Sequence, residues 1–313
     1  MKPETARFNF NRRYLLIVLL LALALYVLVP QIGDFHSSWR LLRHPSPGWT
    51  AAATGLTLTT YLSAALTYWL LALRRLNYGR TVAVQLAAMF INRLLPGGIG
   101  ALGANYAYLR RQGHAGTQAA SVVALNNLLG AAGNGLLVVI SLAIFSGQTA
   151  IAPHYGHADG LWLKAAVAAV LLAVSLALAL GRQRFKRQVA ELLVQIAGYR
   201  RQPWRLPAAL LSSMLLTLGN VFCLAACALA LGVHLPFVAI LLILTFGVGT
   251  GAATPTPGGL GGFEAGLAAG FIAYNVNGSA ALAVALLYRL ISYWLPIILG
   301  APALAVCRQR RWF

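Results

Sequence analysis

The sequence predicts an all-α polytopic membrane protein: about six transmembrane helices plus two re-entrant helical hairpins, arranged as an inverted-topology repeat. Three observations carry that prediction. Of 313 residues, 59% are hydrophobic and only 9% charged, whereas a soluble domain is about a quarter charged. The basic residues stand in short clusters between apolar runs, the pattern of loops that face the cytoplasm. Inside apolar sequence the chain breaks itself twice in the same way, with P-G-G-[IL]-G at Pro96–Gly100 and again at Pro257–Gly261. No stretch is long and polar enough for a separate soluble domain, so residues 1–313 are read as one transmembrane domain.

The first element runs from about Tyr14 to Val29. Lys2, Arg7, Arg12 and Arg13 precede it, and no small-x-small cleavage site follows, so it reads as a retained helix with its N-terminus inside. Pro30–Thr50 is an outside loop, with Trp49 at the headgroup boundary. The second helix, about Ala51 to Leu73, returns inside at Arg74 and Arg75; Thr57, Thr59 and Thr60 can satisfy their hydroxyls on the preceding turn or on a neighbouring helix. Thr81–Leu109 lies between Arg80 and Arg110-Arg111, both inside. It is too long for one crossing and too short for two helices of about 20 residues each. With Pro96, Gly97 and Gly98 in its middle, it reads as a hairpin entering and leaving on the cytoplasmic side.

The third helix, about Ala119 to Phe145, carries Asn126, Gly130 and Asn134 on one face. Ser146–Gly160 has no Lys or Arg and is outside; Leu161–Leu180 returns inside. Arg182–Arg205 holds seven Lys/Arg and one acid, Glu191. Phe185, Val189, Leu192, Leu193 and Ile196 recur at helical spacing there, which suits a cytoplasmic amphipathic connector on the inner leaflet or an ordinary basic connecting helix. The fifth helix, about Ala208 to Leu231, goes outward. Phe237–Asn275 is the second broken region, and a sixth helix, about Ser279 to Val306, ends inside at Arg308, Arg310 and Arg311. Arg40 and Arg43 are the basic residues that fall in an outside loop. The order yields repeat A at about 51–145 and repeat B at about 208–306, with opposite orientation, and both termini in the cytoplasm of a cell inner (cytoplasmic) membrane. Transporters place substrate sites where such broken repeats meet.

The net charge of +19, from 24 Lys+Arg against 5 Asp+Glu, would favour nucleic acid in a soluble protein. Its placement between apolar runs points instead to anionic headgroups and argues against a nucleic-acid partner. Glu264 is the single acid within predicted membrane sequence, a position that is expensive unless paired or wetted. It falls in the first turns of a half-helix, where the dipole favours a negative charge; it either serves a substrate or ion site or braces the broken backbone. Arg93 and Arg289 are the candidate cations, able to hold a phosphate, a carboxylate or Glu264 itself; Arg93 could instead snorkel. Asn126 and Asn134 could add a polar face to the same cavity or make ordinary interhelical bonds. The helix-break motifs are Pro96, Gly97, Gly98 and Gly100, and Pro255, Pro257, Gly258, Gly259 and Gly261; half-helix N–H groups there favour an anion. Gly262, Gly266 and Gly270 are read first as helix packing, and Cys223 and Cys227 as buried small residues. No phosphate-binding loop, dinucleotide fingerprint, nucleophile–base set or metal motif occurs, so no cofactor, metal or catalytic residue is expected and an enzyme is the minority reading.

Asn92–Gly100 (NRLLPGGIG) and Pro255–Glu264 (PTPGGLGGFE) together resemble the lysylphosphatidylglycerol synthetase transmembrane-domain family, also called the flippase-like domain family, over almost the whole chain. P-x-P-G-G-x-G-x-x-E at Pro255–Glu264 is the most specific part. The resemblance implies helices with re-entrant segments in an inner membrane. Some members are associated with flipping lysyl-phosphatidylglycerol, and others are linked to polyprenyl-phosphate sugars or hopanoid lipids. Members that aminoacylate lipid carry a C-terminal synthase domain; this chain stops seven residues after Val306, so it is expected to be a stand-alone member without that activity. The family often has a charged pair where this chain has Asn126-Asn127, which weakens transfer of any particular substrate. The expected function is a lipid flippase moving an anionic or lipid-linked headgroup between leaflets. The alternatives are a non-transporting scaffold for envelope-lipid enzymes and an intramembrane lipid-modifying enzyme. Expected partners are a membrane phospholipid or a polyprenyl- or hopanoid-type lipid, with homo-oligomerisation left open.

Overall fold

A computed structural model of the chain describes residues 38–95, 99–145, 196–254 and 256–313. The expected helices at 14–29 and 161–180, the connector over 182–195, and Pro96, Gly97, Gly98 and Pro255 lie outside the described residues.

Nine α-helices lie wholly within the described residues: α1 (Pro47–Leu71), α2 (Tyr78–Leu94), α3 (Ile99–Arg111), α4 (Gly116–Phe145), α5 (Arg205–Ala230), α6 (Phe237–Ala253), α7 (Gly262–Ala273), α8 (Gly278–Arg289) and α9 (Leu295–Gln309). A π-helical turn, Leu290–Trp294, joins α8 to α9. Their starts follow local chemistry. Pro47 opens α1, where a missing N–H breaks no helical bond. Asn77 caps α2 by accepting the Arg80 N–H at 3.1 Å, and Asn277 caps α8 through the Ser279 N–H at 2.9 Å.

The protein is an all-α, multi-helix membrane protein. Three of the described elements are long and apolar enough to cross a membrane: Gly116–Ile144, Arg205–Ala230 and Gly278–Gln309, the last formed by α8, the π turn and α9. α1 is 25 residues long, but its threonines dilute its apolar character. Those hydroxyls turn inward to carbonyls, as isolated polar groups in a bundle must. Thr57 donates to Ala53 O at 3.1 Å and meets Cys223 Sγ at 3.2 Å; Thr60 donates to Thr57 O at 2.6 Å. From the facing helix, Ser212 donates to Ser63 O at 2.8 Å.

α1 and α5 form the central and most extensive packing contact. Around it, α2 folds back on α3, and α6 on α7. α2 also packs along α9, while α6 packs on α4. One apolar core lies among α5, α6, α7 and α8, and includes Leu224, Ile240, Leu267, Phe271 and Val284. A second lies among α1, α2, α3 and α4, and includes Leu71, Val84, Tyr108 and Val122. At the C-terminal end of α1 the buried terminal carbonyls are capped by donors distant in sequence: the Tyr199 hydroxyl donates to Leu71 O and Arg205 Nη1 to Ala72 O at 3.1 Å. A cation there is favoured by the helix dipole. Cys223, Cys227 and Cys307 are free thiols, all buried.

Candidate functional site

The second break falls between α6 and α7. Thr254 leaves helical geometry at φ −90° and ψ 121°, and Gly258, Gly259 and Gly261 take φ of 61°, 65° and 88°. Only glycine enters this region freely. Gly258 is further constrained by space, since a Cβ there would lie 2.4 Å from Cε2 of Tyr293. α7 then begins with Glu264 in its first turn. Glu264 Oε2 accepts the Gly261 N–H at 2.8 Å, one half of a capping box; glycine has no side chain to return the bond. The carboxylate thereby sits at the positive end of the α7 dipole.

Its other oxygen faces α8. Arg289 Nε donates to Glu264 Oε1 at 2.6 Å, with side-chain exposures of only 6% for Arg289 and 11% for Glu264. An ion pair this buried loses hydration on both sides, so further contacts must offset the loss. Arg289 has them: Nη2 donates to Gly258 O at 3.0 Å, and the guanidinium lies 4.4 Å from the Phe263 ring centroid and 4.8 Å from that of Tyr293. Such stacking stabilises a desolvated cation. Glu264 therefore braces the break, tying the start of α7 to the glycine turn through Arg289.

Arg93 reaches the same place from the first break, in the last turn of α2. Its guanidinium lies 4.8 Å from the Tyr293 ring centroid, and its Nη2 donates to Ser292 O at 3.1 Å. In return the Tyr293 hydroxyl donates to Arg93 O at 3.3 Å. Ser292 O is available because the residue four positions on is Pro296, which has no N–H to fill it. The π turn re-satisfies the neighbouring carbonyl, with Leu295 N–H reaching Leu290 O. Arg93 Nε is buried and has no hydrogen-bond partner among the described residues.

The structure thus brings Arg93, Glu264 and Arg289 together around Tyr293 and Gly258, with two guanidiniums against one carboxylate. Asn126 and Asn134 stay apart. They are half-buried on α4, which packs against α1, α3, α5 and α6, and the polar contacts of the cluster do not include them. The first break is held by amides instead: Asn92 Oδ1 accepts the Ala101 N–H at 3.2 Å, and Gln85 Nε2 donates to Asn105 Oδ1 at 2.7 Å. Gly100 is needed there, since a Cβ would lie 2.6 Å from Ile91 O. Gly262 and Gly266 serve close packing of α7 on α6; a Cβ would fall 1.8 Å from Thr254 Oγ1 and 2.0 Å from Thr250 Oγ1 respectively. Three participants were not singled out from sequence as site groups: Tyr293, Phe263 and the Ser292 carbonyl. Pro296 is the signal that could have found the last of them.

The sequence model of the family described as "Lysylphosphatidylglycerol synthase TM region" matches residues 14–300. A UPF0104 membrane protein of Pyrococcus horikoshii is 31% identical over 114 residues, 36% of this chain and 33% of that protein. A UPF0104 membrane protein of Methanothermobacter thermautotrophicus is 36% identical over 73 residues, 23% of this chain and 22% of that protein. The chain therefore spans about a third and about a fifth of the lengths of these curated relatives.

Proposed function

The chain belongs to the lysylphosphatidylglycerol synthase TM region family, and from that membership and the charged contact between its two breaks we propose that it is a flippase. It moves an anionic or lipid-linked headgroup between the leaflets of the cytoplasmic membrane. Membership and the apolar helical bundle make it a lipid-handling membrane protein in general. The step to transport is carried by one observation: Arg93 beside the first break and the Glu264–Arg289 pair at the second both lie against Tyr293 or the residues around it. The Glu264–Arg289 pair would brace a scaffold equally well, but among the described residues Arg93 has no carboxylate partner and a buried, unbonded Nε, a costly charge of the kind that marks substrate or ion paths.

In this reading α2–α3 and α6–α7 are the re-entrant hairpins of an inverted repeat, about 51–145 and 208–306, with both termini cytoplasmic. The packing pattern supports it. α2 on α3 corresponds to α6 on α7, α1 on α2 to α5 on α6, and α2 on α9 to α4 on α6. Each hairpin packs on the closing helix of the other half, the arrangement in which rocking one half against the other would expose a midplane site to each leaflet in turn. The headgroup phosphate pairs with Arg93 while the acyl chains stay in lipid; Arg289 stays with Glu264, and no catalytic step is assigned. The test is reconstitution with headgroup-labelled lipids, comparing the wild type with Glu264→Gln. Slower translocation in the variant is expected, and an unchanged rate would remove Glu264 from the mechanism.

A further inference from the structure

Resting on that headgroup site, we infer that the cluster selects a lipid headgroup with one net negative charge, a phosphodiester without a compensating cation, and that Arg93 is the residue that contacts it.

The charges of the cluster divide unevenly. Both oxygens of Glu264 are in use, one by the Gly261 N–H and one by Arg289 Nε. A cationic headgroup could reach that carboxylate only by displacing Arg289 from a buried pair. Arg289 is matched in turn: its charge faces Glu264, its Nη2 is held by the Gly258 carbonyl, and aromatic rings lie beside it. Arg93 is not matched. Glu264 is the one acid among the described residues, and it is already paired. Arg93 shares the Tyr293 ring, but it faces no carboxylate: it has a neutral carbonyl on Nη2 and no acceptor on its buried Nε.

A buried guanidinium with an unmade N–H bond is unstable relative to one that is fully bonded. A single phosphodiester oxygen pair supplies what is missing, because the planar guanidinium edge matches phosphate oxygens two at a time. The surplus at the cluster is one positive charge, which a phosphodiester cancels. A phosphomonoester near its second ionisation would overshoot, and a zwitterionic headgroup would bring a cation with nothing to receive it. The surroundings favour a lipid over a free ion as the source. Leu94 and Leu95 beside Arg93, and Leu290 and Trp294 in the turn that carries Tyr293, are exposed apolar side chains, so acyl chains can lie against the surface next to the charged groups.

The test is equilibrium binding to the full chain in neutral detergent, with short-chain phosphatidylglycerol, phosphatidylcholine and phosphatidic acid at pH 8, and inorganic phosphate as competitor. Phosphatidylglycerol should bind at least about tenfold tighter than phosphatidylcholine, the worth of one charge-assisted hydrogen bond. Phosphatidic acid should bind no tighter than phosphatidylglycerol, and inorganic phosphate should not displace the lipid. In Arg93→Gln the preference should vanish, while Arg205→Gln, which changes another arginine with a buried, unbonded Nε far along the chain, should keep it. Should Arg93→Gln fail to fold, Arg93→Lys retains the charge without the fork and should lose phosphatidylglycerol affinity several-fold with phosphatidylcholine unchanged. Equal binding of the two phospholipids by the wild type, a preference that survives Arg93→Gln or Arg93→Lys unchanged, tighter phosphatidic acid, or displacement by phosphate each overturns the inference. Selective binding without any translocation would instead sink the transport reading and leave this one standing.

Discussion

Replacing Glu264 by glutamine separates two roles that the carboxylate plays at once. The glutamine carbonyl can still accept the Gly261 N–H, now made to Oε2 at 2.8 Å, so the half-helix cap survives. The charge opposite Arg289 does not. The two side chains are only 11% and 6% exposed, so water cannot compensate the stranded guanidinium, and breaking such a pair costs about 3–5 kcal/mol. Arg289 keeps the Gly258 carbonyl and its ring contacts, which together retain about 1–2 kcal/mol and place the expectation near the lower end, about 3 kcal/mol. An ordinary neutral interhelical hydrogen bond in a bundle is worth about 0.6–1.7 kcal/mol, so the two cases are distinguishable. The assay is reversible unfolding in mixed micelles followed by circular dichroism, on Glu264→Gln, Arg289→Met and the double variant. The double variant should recover at least about 2 kcal/mol of the summed single losses, since neither charge is then stranded. A Glu264→Gln loss under about 1 kcal/mol, with strictly additive singles, would refute the claim that a buried ion pair holds the second break.

Gly258→Ala should destabilise by about 2 kcal/mol or more, because φ is 61° and a Cβ would meet Tyr293 at 2.4 Å; left-handed backbone alone costs about 1–2 kcal/mol, and the same unfolding assay checks the total. Pro296→Ala restores an N–H to compete with Arg93 for Ser292 O. Its thermal stability should not fall, while the Arg93-dependent lipid preference weakens in the binding assay. Asn92→Ala removes the acceptor of the Ala101 N–H and should cost about 1 kcal/mol, read by the shift in unfolding midpoint. His114, in the turn between α3 and α4, accepts the Arg74 N–H on Nε2 and lies 3.1 Å from Leu109 O on Nδ1. Burial, with the Arg74 guanidinium adding to it, holds its pKa below the ordinary histidine value against an opposing hydrogen bond to Leu109. The neutral ring's contribution is then complete above about pH 6.5 and is lost as pH falls through the lower folded value. Stability should therefore decline between neutral and mildly acidic pH, with a shallower decline in His114→Gln.

Element positions were legible where a local signal was strong. Arg80 and Arg110-Arg111 bracket a broken apolar stretch, and the structure covers it with two helices, α2 from Tyr78 to Leu94 and α3 from Ile99 to Arg111. Glu264, Arg289 and Arg93 were legible as a group because charges are so rare in this chain that few partnerships exist. What joins them was not. Tyr293 is one of many aromatic residues in apolar sequence, and whether it faces lipid or a guanidinium depends on how α9 lies along α2, a tertiary register that local pattern does not encode. Asn126 and Asn134 show the converse limit: spacing of four puts them on one face but does not say which helix that face meets. The choice at Glu264 between substrate contact and bracing was also open in sequence. Bonds to the Gly261 N–H and to Arg289 occupy both of its oxygens, which leaves Arg93 as the charge without a counterion.

Leaflet exchange of a fluorescent phosphatidylglycerol in sealed proteoliposomes, read by an impermeant quencher, tests the central claim most directly. Vesicles carrying the wild-type chain should let the quencher consume label from both leaflets, whereas Arg93→Gln and protein-free vesicles should stop once the outer leaflet is spent. Wild-type vesicles that stop at the outer leaflet, or an Arg93→Gln variant that exchanges lipid as fast as the wild type, would contradict the account.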